Sequence, residues 1–348
     1  MSFIVAAYNE QEIIKKKIEN TLKLAYPSAQ IEFIFITDGS TDNTVSIIMQ
    51  YPEIRLLHKP GREGKSSALN RAVSAANNDI LIISDANTFL NTSAIKYIAS
   101  HYSDQLTGGV AGEKRVVESS DDNNDIGGRE GLYWRYESFL KKIDSDFYSV
   151  VGAAGELFSV RRSLYENLPA STILDDFVVS LKTAERGYRI IYEPRAFAME
   201  FASASLQDEK KRKVRIAACG FQSIKMLSSL FKFWKHPRLT LLYVSHRVLR
   251  WTLSPLALIL IFVSNIILFL NLNSLFYTFC MIVQIVFYFT AFISQYIPSG
   301  SKFKVLKFTG YFVFMNVSVI QGFFRFISKK QNSAWEKVNR SGAAINVD

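Results

Sequence analysis

Short, wholly apolar runs alternate with longer stretches of helical spacing through the first 84 residues. Strands are expected over 3–6, 31–37, 54–58 and 80–83, and helices over 10–24, 42–50 and 65–76. In the first helix Ile13, Ile14, Ile18 and Leu22 recur at three to four residues and form one apolar stripe. Strands without polar alternation, separated by helices, point to a parallel sheet covered on both faces. Beyond an exposed loop at 119–128, a helix is expected over 129–143. Asp175-Asp176 opens another that ends near Gly187. The stretch 210–235 reads as a basic amphipathic helix or pair of helices, with Lys210, Lys211, Arg212, Lys213 and Arg215 at its start. Such a segment lies well in the headgroup region of a membrane.

After position 250 the pattern changes. Residues 251–270 and 275–297 contain no charge, and each reaches the roughly 20 residues needed to cross a bilayer core. Only 271–274 separates them, so a tight helical hairpin is expected. A third uncharged run, 308–324, is shorter and holds Asn316 and Gln321. Lys302, Lys304 and Lys307 precede it, and Lys329, Lys330, Lys337 and Arg340 follow. Three full spans would separate these two basic groups across the membrane, against the positive-inside tendency. Two spans, or a third segment that is re-entrant or interfacial, would keep both in the cytoplasm. The sequence leaves that choice open. Trp335 in the tail reads as an interfacial anchor.

Charge and cysteine content narrow the partners. The net charge is +10, with basic residues concentrated beside the hydrophobic segments, which favours phosphates and lipid headgroups over nucleic acid. Cys219 and Cys280 sit in unlike surroundings, so neither a disulfide framework nor a zinc site is expected. No basic-then-apolar leader follows Met1, so membrane attachment is expected from the C-terminal part.

Three polar clusters each fall just after an expected strand: Tyr8-Asn9-Glu10, Asp38-Gly39-Ser40-Thr41-Asp42 and Ser84-Asp85-Ala86-Asn87. Strand carboxyl ends are where parallel sheets bind ligands. Asp38 could accept from a base N–H, or it could belong to a helix cap. Gly61-Arg62-Glu63-Gly64-Lys65-Ser66 is not a P-loop, since Lys59 stands where that motif needs glycine. Its Gly-Lys pair can still meet a diphosphate at a helix start. Asp85 and Asn87, hard oxygen ligands two apart, suit Mg²⁺ or Mn²⁺ shared with a diphosphate, the plainer alternative being an Asx turn. Asp175-Asp176 either caps a helix or supplies a general base whose pKa is raised by its neighbour.

Taken in order, these clusters, with Gly64 to Asn70, Gly155 to Arg162 and Leu174-Asp175-Asp176, resemble the motifs of family-2 glycosyltransferases, notably the membrane-bound cellulose, hyaluronan and poly-N-acetylglucosamine synthases. The resemblance implies an α/β GT-A fold, Rossmann-like, with a mostly parallel sheet between helices, followed by interfacial and transmembrane helices. It implies an inverting hexosyl transfer from a nucleotide sugar, with UDP as the nucleotide. Tyr8, Glu10, Asp38, Lys65 and Asp85 would bind the nucleotide, and Asp85 and Asn87 a Mg²⁺ or Mn²⁺ ion. Asp176 would deprotonate the acceptor hydroxyl beside Asp175. Gly155, Glu156, Arg212 and Arg215 would border the acceptor and diphosphate. Asn87 replaces the usual second acid, and Arg212-Lys213-Val214-Arg215-Ile216 stands where the synthases carry Gln-x-x-Arg-Trp.

The expected organisation is a GT-A domain at 1–205, basic interfacial helices at 206–250, membrane helices within 251–327 and a basic tail at 328–348. The implied setting is the cytoplasmic face of the inner membrane, multi-pass, with membrane lipid as a partner and a glycan or lipid-linked acceptor. The alternative is a catalytically degenerate, nucleotide-sugar-binding membrane subunit.

Overall fold

A computed structural model of the chain describes residues 1–117, 126–203, 205–294 and 304–329. Its centre is an eight-stranded mixed sheet. Strands β1 (Ser2–Ala7), β2 (Glu32–Asp38), β3 (Ile54–Lys59) and β4 (Ile80–Asp85) run parallel in the spatial order β3-β2-β1-β4. Every residue of β1 is buried, which is why that strand reads as a continuous apolar run. The chain winds outward from β1 to β3 and then returns to the other side of β1. This reversal opens a crevice at the carboxyl ends of β1 and β4.

The connecting helices are α1 (Ile14–Leu22), α2 (Thr44–Ile48) and α3 (Lys65–Ala75). Helix α1 begins later than the periodicity suggests, because Glu10 O accepts from the backbone N–H of Ile13 and Ile14 and closes a separate turn. Its buried face is Ile14, Lys17, Ile18 and Thr21, while Leu22 faces outward. Lys17 is wholly buried: its ammonium donates to Ser84 Oγ (2.8 Å) and Thr88 O (2.7 Å) at the exit of β4. Burial brings its pKa down to about 7.

Strand β5 (Phe89–Leu90) and helix α4 (Ala94–Ser100) precede the second half of the sheet. That half adds β6 (Thr107–Val117), β7 (Phe158–Arg161) and β8 (Arg189–Phe201), none of which the apolar pattern announces. Strand β7 is antiparallel to β4 and β6, whereas β6 and β8 are parallel. Gly108 and Gly109 disguise β6 as a turn. A Cβ on Gly109 would lie 2.5 Å from Ser159 O, so the glycine is there to admit the neighbouring strand.

Helix α5 (Ile126–Phe147) is longer than expected, and α6 (Asp175–Glu185) starts at the acidic pair and ends before Gly187 at φ +89°. Helix α7 (Leu206–Met226) begins upstream of its basic run because Ser205 Oγ caps the N–H of Asp208 at 3.1 Å. It is a single helix, followed by a 3₁₀ turn at 228–231 and by α8 (Pro237–Tyr243) and α9 (Leu249–Trp251). The Trp251 ring lies 5.6 Å from Phe177 and closes over Gly220, tying α9 to α6 and α7.

Helices α10 (Leu253–Asn271), α11 (Leu275–Ile293) and α12 (Lys304–Ile327) follow. By length and composition all three could cross a membrane, including the third run, extended to Leu306–Ile327. The expectations for 119–125, 295–297, Lys302 and 330–348, Trp335 included, lie outside the described residues.

Candidate active site

The turn after β2 is built around Asp38. Its Oδ2 accepts from the backbone N–H of Glu63 (2.8 Å) and Gly64 (2.6 Å), and its Oδ1 pairs with Arg71 at 3.0 Å. Gly39 at φ +72° lets the chain turn beneath Arg62, whose guanidinium lies 3.9 Å from the centre of the Tyr8 ring. Asp38 therefore shapes the loop that leads into α3. It borders a small recess together with Tyr8, Arg62, Gly64 and Lys65.

Lys65, the first residue of α3, links this recess to the other two strand ends. Its ammonium sits 2.8 Å from Asp85 Oδ1 and 3.5 Å from Asp175 Oδ1. Burial would favour the neutral amine, yet Asp175, Asp85 and Asp176 hold it protonated and push its pKa up. The space among these groups is left open by Gly155. A Cβ there would lie 3.2 Å from Lys65 Nζ, 3.4 Å from Asp85 Oδ2 and 3.5 Å from Asp176 Oδ2. Asp176 is pushed up to about 8, first by burial and then by the charge of Asp175. Asp85 is also raised, by burial foremost, with the Lys65 charge only partly offsetting it. The site thus gathers one firmly charged ammonium and two carboxylates whose ionisation burial delays, around a glycine whose Cβ would come into contact with all three.

A second buried network lies behind Asp85, and sequence reasoning missed most of it. The Asn87 amide donates to Glu200 Oε1 at 2.8 Å. Lys114, itself buried, binds Glu200 and also Glu156 at 2.5 Å. Burial works against the Glu156 carboxylate, but the Lys114 ammonium prevails and brings it down to about 2. A signal existed: Ala196, Ala198 and Glu200 alternate on one buried face of β8, and a carboxylate at such a position needs a partner.

A cavity of about 1260 Å³ has Glu10, Lys65, Asp85, Asn87, Gly155, Glu156, Asp175, Asp176, Arg212 and Arg215 in its lining. Tyr8 and Asp38 stay in the adjoining recess, which Lys65 shares. The sequence-predicted residues are therefore neighbours, although they come from seven segments. Arg212 is tied to Glu209 at 3.0 Å. The cavity continues past Tyr133 and Trp134 of α5 to α10 and α12. Glu137 of α5 anchors that side, pairing with Arg250 and, at 3.1 Å, with Arg247; these arginines hold its carboxyl well below the usual range against burial.

A divalent cation is implied by the resemblance, and the residues fit a ligand-poor version of such a site. Among the described residues no three His, Cys, Asp or Glu side chains form a metal cage. Asp85 and Asn87 both face the cavity, and the Asn87 amide nitrogen is directed at Glu200, which leaves its carbonyl as the hard donor. Two protein oxygens suit Mg²⁺ or Mn²⁺ bound mainly by phosphate and water.

Comparison with known proteins agrees with this architecture. The model of glycosyl transferase family 2 matches residues 2–168. Poly-beta-1,6-N-acetyl-D-glucosamine synthase of Staphylococcus aureus strain COL is 29% identical over 248 residues, 69% of this chain. The synthase of Staphylococcus epidermidis is 27% identical over 241 residues, 67% of this chain. The chain spans 59% and 56% of the length of these relatives. A mannosyltransferase of Pyrobaculum calidifontis, solved with GDP-Man and Mn²⁺, superposes with a TM-score of 0.72 at 21% identity, covering 94% of this chain and 87% of that one. That likeness establishes the fold. Residues 2–168 belong to glycosyltransferase family 2, and the chain is a GT-A protein related to polysaccharide synthases.

Proposed function

We propose that the protein is an inverting glycosyltransferase that moves a sugar from a UDP-sugar to a hydroxyl of a glycan or lipid-linked acceptor at the cytoplasmic face of the membrane. The observation that carries this reading is the convergence of Lys65, Asp85 and Asp176 around the open space at Gly155. Tyr8, Glu10 and Asp38 hold the nucleoside end, and Lys65 meets the diphosphate. Asp176 takes the proton of the acceptor hydroxyl. The acceptor oxygen forms a bond to C1 from the face opposite the diphosphate, the bond from C1 to the diphosphate oxygen breaks, and the nucleoside diphosphate leaves. A Mg²⁺ or Mn²⁺ ion held by Asp85 and Asn87 supplies charge neutralisation of that leaving group when bound. Asp175 keeps Lys65 protonated and Asp176 basic. Glu156, Arg212 and Arg215 border the acceptor, and Trp134 with Tyr133 gives this side an aromatic wall that the stretch 212–216 does not.

The names of the relatives make an N-acetylhexosamine donor the first to try. Membranes containing the protein, incubated with UDP-N-acetylglucosamine, UDP-glucose and GDP-mannose, are expected to release UDP from one UDP-sugar. Release should stop with chelator and return with Mg²⁺ or Mn²⁺. Tight binding of a UDP-sugar without release of UDP from any donor would favour the degenerate subunit instead, a reading kept in view by Asn87.

A further inference from the structure

Asp85 and Asn87 sit on one short segment, 84–90, which leaves β4 and enters β5. Their side chains are held by groups that line the cavity, Asp85 by Lys65 at 2.8 Å and Asn87 by Glu200 at 2.8 Å. The backbone of the segment is held by α1, whose Lys17 has no part in that lining. Lys17, at 0% exposed, donates to Ser84 Oγ at 2.8 Å and to Thr88 O at 2.7 Å, so one ammonium joins both ends of the turn that carries Asp85 and Asn87. Ser84 Oγ in turn donates to Glu156 O at 3.0 Å, and Thr88 Oγ1 donates back to Asp85 O at 2.9 Å. Three residues along α1, Asn20 meets the exit of the segment twice. Its Nδ2 donates to Leu90 O at 2.8 Å and its Oδ1 accepts from the Leu90 N–H at 2.9 Å.

Packing alone does not call for a lysine at position 17. Ile14 and Ile18 flank it on the buried face of α1, and a methionine would fill similar space without taking an ammonium out of water. Such a transfer is unfavourable unless hydrogen bonds compensate it. What lysine adds is donors aimed at Ser84 and Thr88. A cation site with only two protein oxygens depends on their spacing being set beforehand, because the phosphate and water that complete the shell impose none. Residues that orient ligands from behind can therefore govern affinity without touching the ion.

We propose that Lys17 is a positioning residue for the divalent cation: together with Asn20 it fixes the backbone of 84–90, so that Asp85 and Asn87 meet the ion at one preset spacing. Lys17 touches neither the ion nor the donor and acts through Ser84 and Thr88. The inference rests on the reading that Asp85 and Asn87 hold the ion, and it adds what holds those two residues.

Binding of Mn²⁺ in the presence of UDP tests this without turnover. Loss of the free Mn²⁺ signal in electron paramagnetic resonance reports it on the purified full-length chain. Lys17→Met is expected to raise the Mn²⁺ dissociation constant by about 10–100-fold, with UDP binding in chelator unchanged. Ser84→Ala keeps the lysine but removes one acceptor, and should raise the constant by about 2–10-fold, the worth of one hydrogen bond. Ile18→Val loosens α1 without touching the turn; it should lower the melting temperature and leave Mn²⁺ affinity as in the parent. Parent-like affinity in folded K17M, or in S84A where K17M does not fold, overturns the proposal and leaves the cation site standing. A loss in I18V as large as that in K17M, or in S84A where K17M does not fold, overturns it too, since general loosening would then account for the effect. If Asp85→Asn binds Mn²⁺ as the parent does, the ion is not held at this turn, and the proposal falls together with that reading.

Discussion

Replacing Asp176 by asparagine is expected to lower turnover by about 10²–10⁴-fold while leaving nucleotide-sugar binding nearly unchanged. The amide preserves shape and the space beside Gly155, but it cannot take a proton. Because Asp176 is pushed up to about 8 by burial and by Asp175, the free protein holds much of it protonated at neutral pH. A base acts only when ionised, so kcat/KM should climb with pH toward about 8 and then level, and this limb should vanish in the variant. The same limb is expected in kcat with donor bound. Stability should move the other way. A folded-state pKa above the unfolded value of about 3.9 means that the folded chain binds the proton more tightly, so stability falls as pH rises from the ordinary carboxylate range through about 8. D176N removes this penalty: its melting temperature should exceed the parent's near pH 8 and match it near pH 4. Rates across pH with a pre-bound donor, and thermal unfolding at both pH values, check all three parts. A fully active D176N would remove Asp176 as the base.

How much of this could be read from the sequence depended on what each residue faces. The four parallel strands are buried on both sides, so their code is a plain apolar run, and the polar residues at their ends stand out at once. The second half of the sheet hides itself. In β6 the glycines that admit Ser159 O are those that normally mark a turn, and in β8 buried Glu193 and Glu200 interrupt the alternation. Lys17 shows the same limit. Its place on α1 looks like a solvated face, yet it is buried because Ser84 and the Thr88 carbonyl accept from it. Acids and bases that answer each other across sixty or more residues leave no local signature. The three helices long and apolar enough to cross a membrane were legible as length and apolarity, but the packing of α12 along α7 leaves no mark in that pattern.

The contact between Asn87 and Glu200 leads to a second expectation that runs against simple motif repair. Substituting Asn87→Asp restores the usual pair of acids and ought, by motif alone, to strengthen metal binding. Here it should raise the Mg²⁺ or Mn²⁺ concentration needed for half-maximal UDP release by about 10–100-fold, the range found when residues supporting a metal site are lost. The Asn87 amide nitrogen is 2.8 Å from Glu200 Oε1, and Glu200 is 3% exposed. A carboxylate in that place has no hydrogen to donate and meets a like charge with little water to screen it, so one of the two acids must take up a proton or move away. Lys114 cannot neutralise both, because it already binds Glu200 and Glu156. Adding Glu200→Gln to the same chain should reverse the loss to within a few-fold. The glutamine nitrogen can donate to the new carboxylate while its oxygen still accepts from Lys114, and the new acid is then left ionised toward the metal. The informative quantity is the coupling between the two substitutions, which should be large and favourable. A metal affinity that improves with N87D alone would show that the amide at this position supports nothing, and that Glu200 has no part in setting the charge beside Asp85.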